Sequence, residues 1–129
     1  MKKLFCAISI GVVLLSQAAI AKINTSEIKD LDAALKTKLP VVLKLGAEWC
    51  PPCKKMKPII SELSKEENGK VVFLDIDIEK NRALSGKYQI RLIPTIIIFD
   101  KTGKEKFKTE GFMSKEDLLN KLKELKLLK

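Results

Sequence analysis

The feature that most constrains this chain is a pair of cysteines, Cys50 and Cys53, between an apolar run and an amphipathic segment. Residues 41–47 form a short apolar run rich in β-branched side chains, which predicts a buried strand. Residues 54–67 carry apolar side chains at helical spacing. The cysteines therefore stand where a strand leads into a helix, and unpaired N–H groups at a helix start stabilise a thiolate.

The remaining patterns alternate between helix and strand. They predict helices over residues 26–38, 54–67 and 80–87 and from residue 114 onwards, and strands over residues 41–47, 71–78, 96–99 and 104–109. Helices between strands favour crossover connections, whereas the tight turn at residues 100–103 favours an antiparallel hairpin. We therefore expect a three-layer α/β/α fold with a mixed central sheet that ends in an antiparallel hairpin. Residues 22–24 are a candidate for one further edge strand.

The N-terminal segment, residues 1–21, is typical of a secretory signal peptide. It has a basic start, an apolar stretch over residues 4–15, and small residues at Ala19 and Ala21. We expect cleavage after Ala21, which leaves residues 22–129 as one exported domain, periplasmic or secreted. The alternative is an uncleaved membrane anchor, for which the segment is short.

The composition excludes several classes of site. The chain has no histidine, which removes Cys-His nucleophiles and histidine-bound metals. Two cysteines in the mature chain are too few for a closed zinc site in a monomer, so we expect no metal and no cofactor besides the pair itself. The net charge is +9, but only five Phe, one Trp and one Tyr are present. Because these are few for a base-stacking platform, we expect no nucleic acid partner.

The spacing of the two cysteines suits thiol–disulfide exchange. Cys50, at the helix start, is the expected nucleophile; it would form a mixed disulfide that Cys53 then attacks. We expect the Cys50 sulfur to be exposed, the Cys53 sulfur to be buried, and the Cys53 N–H to donate to the Cys50 sulfur. The alternatives are a metal or cluster shared by two chains and a purely structural disulfide, although so short a loop adds little stability.

Several motifs together closely resemble the thioredoxin family. They are Ala47-Glu48-Trp49-Cys50-Pro51-Pro52-Cys53-Lys54, Pro58 in the following helix, Asp77 in the next strand, Ile93-Pro94-Thr95, and Gly111 before the last helix. The resemblance covers residues 26–128 and implies the thioredoxin fold, with Cys50 as nucleophile and Cys53 as resolving cysteine. It also implies a cis Ile93–Pro94 bond beside the two sulfurs.

The resemblance also implies a substrate-binding site. Ile93, Pro94 and Thr95 would meet an incoming substrate strand through the Ile93 backbone. Trp49 would shield the cysteine pair, and its alternative role is that of a partly buried packing residue.

Two departures from the family pattern concern the surroundings of the cysteines. Pro51-Pro52 replaces the usual Gly-Pro between them. These residues tune how easily the disulfide is reduced. The resemblance therefore does not imply the direction of electron flow. Gly46 stands where an aromatic residue often lies, which we expect to open the back of the site.

A third departure is an exchange of charges. Where the family usually carries a buried Asp before the motif, this chain has Lys44, and where many members carry a Lys in the next strand it has Asp75. We hypothesise that the two pair beneath Cys53 and tune its thiol or move its proton. A protonated Lys44 would favour the thiolate, whereas a neutral one would accept the proton. The alternative is that Lys44 extends to solvent and Asp75 lies at a strand end.

These observations together predict an exported thiol–disulfide oxidoreductase that acts on protein cysteines and maintains the redox balance of its compartment. We expect a monomeric reductant supplied by a membrane-bound electron donor, because no soluble NADPH-driven supply exists outside the cytoplasm. One alternative is an oxidant that donates disulfides. The other is a redox-gated binding module with little turnover.

Overall fold

The computed structural model of the protein describes residues 24–129. The elements in chain order are a 3-10 turn (Thr25–Glu27), α1 (Leu31–Lys36), β1 (Val41–Gly46), α2 (Pro51–Glu66), β2 (Val72–Asp77), α3 (Arg82–Lys87), β3 (Thr95–Phe99), β4 (Glu105–Glu110) and α4 (Lys115–Glu124). The predicted signal peptide, residues 1–21, lies outside the described residues. Of the candidate edge strand at residues 22–24, only Asn24 is described, and it belongs to no strand.

The four strands form one mixed sheet in the order β2-β1-β3-β4. β1 pairs in parallel with β2 and antiparallel with β3, and β3 pairs antiparallel with β4. The mixed sheet and its C-terminal antiparallel hairpin are therefore confirmed. β1 lies inside the sheet and all six of its residues are buried, which explains why its sequence is continuously apolar apart from Lys44.

Helices cover both faces of the sheet, which confirms the three-layer architecture. Alternate residues of β1 point to opposite faces. Val41, Leu43 and Leu45 pack in a core with α1, and the partly buried Leu84 of α3 adds to it. Val42 packs on the other face in a core that includes Met56, Ile60 and Leu63 of α2 and Leu118 and Leu122 of α4.

The first helix is shorter than predicted. Its apolar spacing suggested residues 26–38, but the helix spans only Leu31–Lys36. Asp30 has extended backbone angles, and its side chain accepts a hydrogen bond from the Ala33 N–H at 3.0 Å, so it caps the helix there. The segment before Asp30 is instead bound to the turn after residue 66, because the Thr25 N–H donates to Asn68 Oδ1 at 2.7 Å.

The second helix begins three residues earlier than predicted, within the cysteine motif. Its N-cap is Cys50, and Pro51 and Pro52 occupy its first two positions. Proline is compatible with these positions because their N–H groups have no partner inside a helix. The motif itself is therefore the first turn of α2.

The last helix is capped as predicted and tied to α2. Ser114 and Asp117 form a reciprocal capping box. The Lys115 ammonium then donates to Glu62 at 2.8 Å and to Glu66 at 2.7 Å. The hydrogen bond from Lys115 lowers the pKa of the Glu62 carboxyl, and the bonds to the two glutamates raise the pKa of Lys115.

No helix within residues 24–129 is both long enough and apolar enough to cross a membrane.

Candidate active site

The two cysteines lie at the carboxyl end of the central strand and are joined by a disulfide. Their Cα atoms are 5.2 Å apart. Cys50 follows the loop after β1, and its sulfur accepts a hydrogen bond from the Cys53 N–H at 3.4 Å. This is the bond expected from the sequence, and it directs an unpaired helix donor at the sulfur expected to be the nucleophile.

Both cysteines are more enclosed than the sequence suggested. Cys53 is fully buried, as expected, but Cys50 is only 4% exposed. Ala47 and the partly buried Ile93 pack against the two cysteines. The expectation of an exposed Cys50 sulfur is therefore wrong for the oxidised protein.

The loop before β3 lies directly beside the disulfide. The Ile93–Pro94 peptide bond is cis, and the Ile93 carbonyl oxygen is 3.9 Å from Cys50 Sγ. Thr95 is buried, and its hydroxyl donates to the Leu92 carbonyl at 2.6 Å. The Gly111 N–H donates to the Pro94 carbonyl at 2.7 Å. Gly111 has φ +102°, a conformation that favours glycine.

The structure divides the four residues of the predicted substrate-binding site into two groups. Trp49 is exposed and Ile93 is half-buried, so both are accessible from the surface. Pro94 and Thr95 are buried and hold the loop from beneath. Their role in binding a substrate stays a prediction.

Trp49 stands out from the surface beside the disulfide. It is 65% exposed, and its indole N–H donates to Glu79 Oε1 at 2.9 Å. Next to it, the Lys80 ammonium lies 3.4 Å from a Glu48 oxygen. Both contacts tie the loop that carries Trp49 to the loop between β2 and α3, so the indole is oriented rather than packed in the core.

Two further apolar residues lie next to the site and were not identified from the sequence. Leu92 and Phe112 are the other large apolar side chains exposed within the described residues. Leu92 precedes Ile93, and Phe112 follows Gly111, which is bonded to Pro94. We call Trp49, Leu92 and Phe112 the apolar rim. An exposed apolar surface at such a place is typical of an interaction site.

Beneath the cysteines, Lys44 and Asp75 form an ion pair. They are direct neighbours in the parallel register of β1 and β2, and Lys44 Nζ lies 2.8 Å from Asp75 Oδ1. Lys44 is only 1% exposed, so it does not extend to solvent. Asp75 lies within β2, and its side chain is partly exposed. The effect of the pair on Cys53 stays a prediction.

Gly46 has no side chain, and Lys44 and Cys53 pack closely around the place where one would lie. A Cβ atom on Gly46 would lie 2.9 Å from Cys53 Sγ and 3.1 Å from Lys44 Cε. A cavity of about 500 Å³ adjoins this point, lined by Lys44, Gly46 and Asp75 among others. The expected opening at the back of the site is therefore present. Within residues 24–129, no group of three or more His, Cys, Asp or Glu side chains is arranged to hold a metal ion.

Comparisons with known sequences identify one family. The family model described as Thioredoxin matches residues 16–124. Thioredoxin from Rickettsia felis is 45% identical over 86 residues, which cover 67% of this chain and 81% of that protein. Thioredoxin from Staphylococcus epidermidis is 36% identical over 100 residues, which cover 78% of this chain and 91% of that protein.

Comparison with solved structures supports the fold. A mutant thioredoxin from Halobacterium salinarum NRC-1 superposes with a TM-score of 0.69 at 23% identity, covering 79% of this chain and 93% of that one. A malarial protein gives a TM-score of 0.63 at 27% identity, covering 67% of this chain and 96% of that one. The expected thioredoxin fold is confirmed.

The close packing around Gly46 leads to a first prediction. We expect Gly46→Ala to lower the free energy of unfolding by about 1–3 kcal/mol, because its Cβ would overlap with Cys53 Sγ and crowd Lys44 Cε. Urea unfolding of the oxidised protein measures the effect. Gly86→Ala in α3 is the control: nothing lies within 4 Å of its Cβ, so we expect no loss of stability there. Equal stability of the two variants would contradict the close packing at Gly46.

Proposed function

The chain belongs to the thioredoxin family and is a thiol–disulfide oxidoreductase, and from this membership we propose that it reduces disulfides in proteins outside the cytoplasm. One observation carries the mechanism. The sulfur of Cys50 caps α2 by accepting a hydrogen bond from the Cys53 N–H, beside the exposed apolar rim. A helix start favours the thiolate, and the rim supplies a surface for a protein substrate.

The exchange takes place in two steps. The Cys50 thiolate attacks one sulfur of a substrate disulfide; a Cys50–substrate bond forms, and the other substrate sulfur leaves as a thiolate that takes up a proton. Cys53 then loses its proton and attacks Cys50 Sγ. The Cys50–Cys53 disulfide forms, the second substrate sulfur leaves, and two electrons have passed from the cysteine pair to the substrate.

The surface beside Cys50 is suited to an extended substrate segment. The half-buried Ile93 places its carbonyl oxygen next to Cys50 Sγ, while Pro94 and Thr95 support the loop from below. A substrate strand that pairs with the Ile93 backbone would bring its disulfide to Cys50. Trp49 would contact the apolar residues that flank the substrate cysteine.

The proposal requires a partner that returns electrons to the cysteine pair. Each turnover leaves Cys50 and Cys53 oxidised, and the pair needs two electrons before it can act again. We propose a membrane-bound donor with its own reduced cysteines, because a protein outside the cytoplasm has no soluble NADPH-driven reductase. The protein would act as a monomer and keep the thiols of its compartment reduced.

The reduction potential of the mature protein tests the direction of electron flow. We expect a value near that of cytoplasmic thioredoxin, about −270 mV, in equilibrium with dithiothreitol and glutathione and read from Trp49 fluorescence. The wild type should also accelerate the reduction of insulin by dithiothreitol, and Cys50→Ser should abolish that effect. A potential near about −120 mV would show a disulfide donor instead. A wild type without effect on insulin would favour a binding module.

Export is a separate part of the proposal and rests on residues 1–21. Their basic start, apolar stretch and small residues support cleavage after Ala21. We expect the protein recovered from the extracytoplasmic fraction to begin at Lys22, as read by N-terminal sequencing. The double variant Ala19→Arg and Ala21→Arg should keep the segment, because large charged residues block cleavage. A wild type that keeps Met1 and stays with the membrane would show an anchor instead.

A further inference from the structure

Lys44 is the one charged residue that is buried within residues 24–129. Its neighbours along β1, Leu43 and Leu45, are aliphatic and fully buried. A buried ion pair adds little stability, and apolar side chains of similar volume often replace it without loss. Stability therefore does not explain a lysine in the middle of this strand. Active sites use buried charges to set the chemistry of their reactive groups, and Lys44 lies close to the cysteine pair.

Lys44 lies directly beneath Cys53. Gly46 is two residues further along β1, so its missing side chain would project from the same face as that of Lys44. Cys53 Sγ and Lys44 Cε lie 2.9 and 3.1 Å from the position of that missing Cβ, so the two atoms are no more than about 6 Å apart. No side chain of residue 46 separates them. The ammonium nitrogen is one bond beyond Cε, and a charge this close to a buried sulfur acts on it.

Asp75 holds the ammonium in place. The 2.8 Å contact between Lys44 Nζ and Asp75 Oδ1 is a charge-assisted hydrogen bond between neighbouring strands. The cavity beside the pair gives room for water at this polar site. The other charged residues that line the cavity are Lys29, Asp30, Asp32, Glu48, Lys57, Asp77 and Lys80. Of these, Asp77 accepts the N–H groups of Glu79 and Lys80.

We propose that Lys44, oriented by Asp75, is a positioning residue that stabilises the thiolate of Cys53 and so speeds the release of the substrate. The inference rests on the proposed thiol–disulfide exchange and concerns its second step. Of the two roles considered for this lysine, its contact with the Asp75 carboxylate favours that of a positive charge beside Cys53 over that of acceptor of the Cys53 proton.

The step is balanced without any further reactant. The Cys53 thiol gives its proton to water in the cavity, and the thiolate attacks Cys50 Sγ. The bond between Cys50 and the substrate sulfur breaks, and the Cys50–Cys53 bond forms. The substrate sulfur leaves with the electron pair and takes a proton from water. Lys44 gains and loses nothing in this step, and its charge offsets that of the thiolate.

The test is a titration of the Cys53 thiolate by its absorbance near 240 nm in a Cys50→Ser background. We expect Lys44→Met to move the midpoint upward by about one pH unit or more, which is tenfold less thiolate at a given pH below the midpoint. With both cysteines present, the same substitution should slow the release of substrate from the mixed disulfide and lower the reduction potential, because the reduced form loses a stabilising charge.

Two controls separate the charge of Lys44 from other effects. Lys57→Met removes an exposed lysine of α2 that lines the same cavity, and we expect a much smaller shift because solvent screens that charge. The double variant Lys44→Met with Asp75→Asn removes both charges of the pair. It leaves no unpaired carboxylate and keeps a folded protein available should Lys44→Met alone be unstable. We expect its midpoint to stay above that of the Cys50→Ser parent.

The outcomes distinguish this inference from the proposed function. An unshifted midpoint in the double variant, or equal shifts for Lys44→Met and Lys57→Met, would overturn the role of Lys44 while insulin reduction by the wild type would still support the exchange reaction. A wild type that fails to reduce insulin would overturn the reaction and the inference together.

Discussion

The hydrogen bond from the Cys53 N–H to the Cys50 sulfur is the interaction on which the rest of the site depends. It caps α2 just after the chain leaves β1, so one contact both starts the helix and places a donor at the sulfur of the proposed nucleophile. Pro51 and Pro52 fit between the cysteines because those helix positions need no donor. The same hydrogen bond therefore serves Cys50 both as the N-cap of α2 and as the proposed nucleophile.

Much of the fold could be predicted because the core is patterned locally. Continuous apolar runs marked the inner strands, and the capping pair Ser114 and Asp117 marked the start of α4. The prediction was wrong at α1, where apolar spacing from residue 26 continued through a segment that Asp30 excludes from the helix. Spacing reports which side chains face the core, whereas the first residue of a helix depends on a cap.

The site was predicted in part. The motif residues Cys50, Cys53 and the Ile93–Pro94 loop have sequence signals of their own. By contrast, Glu79 orients Trp49 from a loop 30 residues away, and the rim residues Leu92 and Phe112 have no pattern that distinguishes them from core positions. Their role follows only from the way the loop after β1, the loop before β3 and the segment after β4 meet. Local sequence carries no information about such contacts.

The ion pair of Lys44 and Asp75 is a second contact that local sequence could not fully predict. The sequence placed both residues in adjacent strands but left open whether the lysine extends to solvent. Its burial depends on Gly46, which leaves room for both Lys44 Cε and the Cys53 sulfur. A glycine is easily taken for a loss of packing, yet here it permits a buried charge to lie beneath a redox-active cysteine.

The most direct measurement of the central claim asks which cysteine reacts first. The reduced protein is treated near neutral pH with less than one equivalent of iodoacetamide, and the labelled peptides are identified by mass spectrometry. The account predicts that the label is found almost entirely on Cys50, because its sulfur accepts the hydrogen bond from the helix N–H, whereas Cys53 is fully buried. Preferential labelling of Cys53, or equal labelling of both, would contradict it.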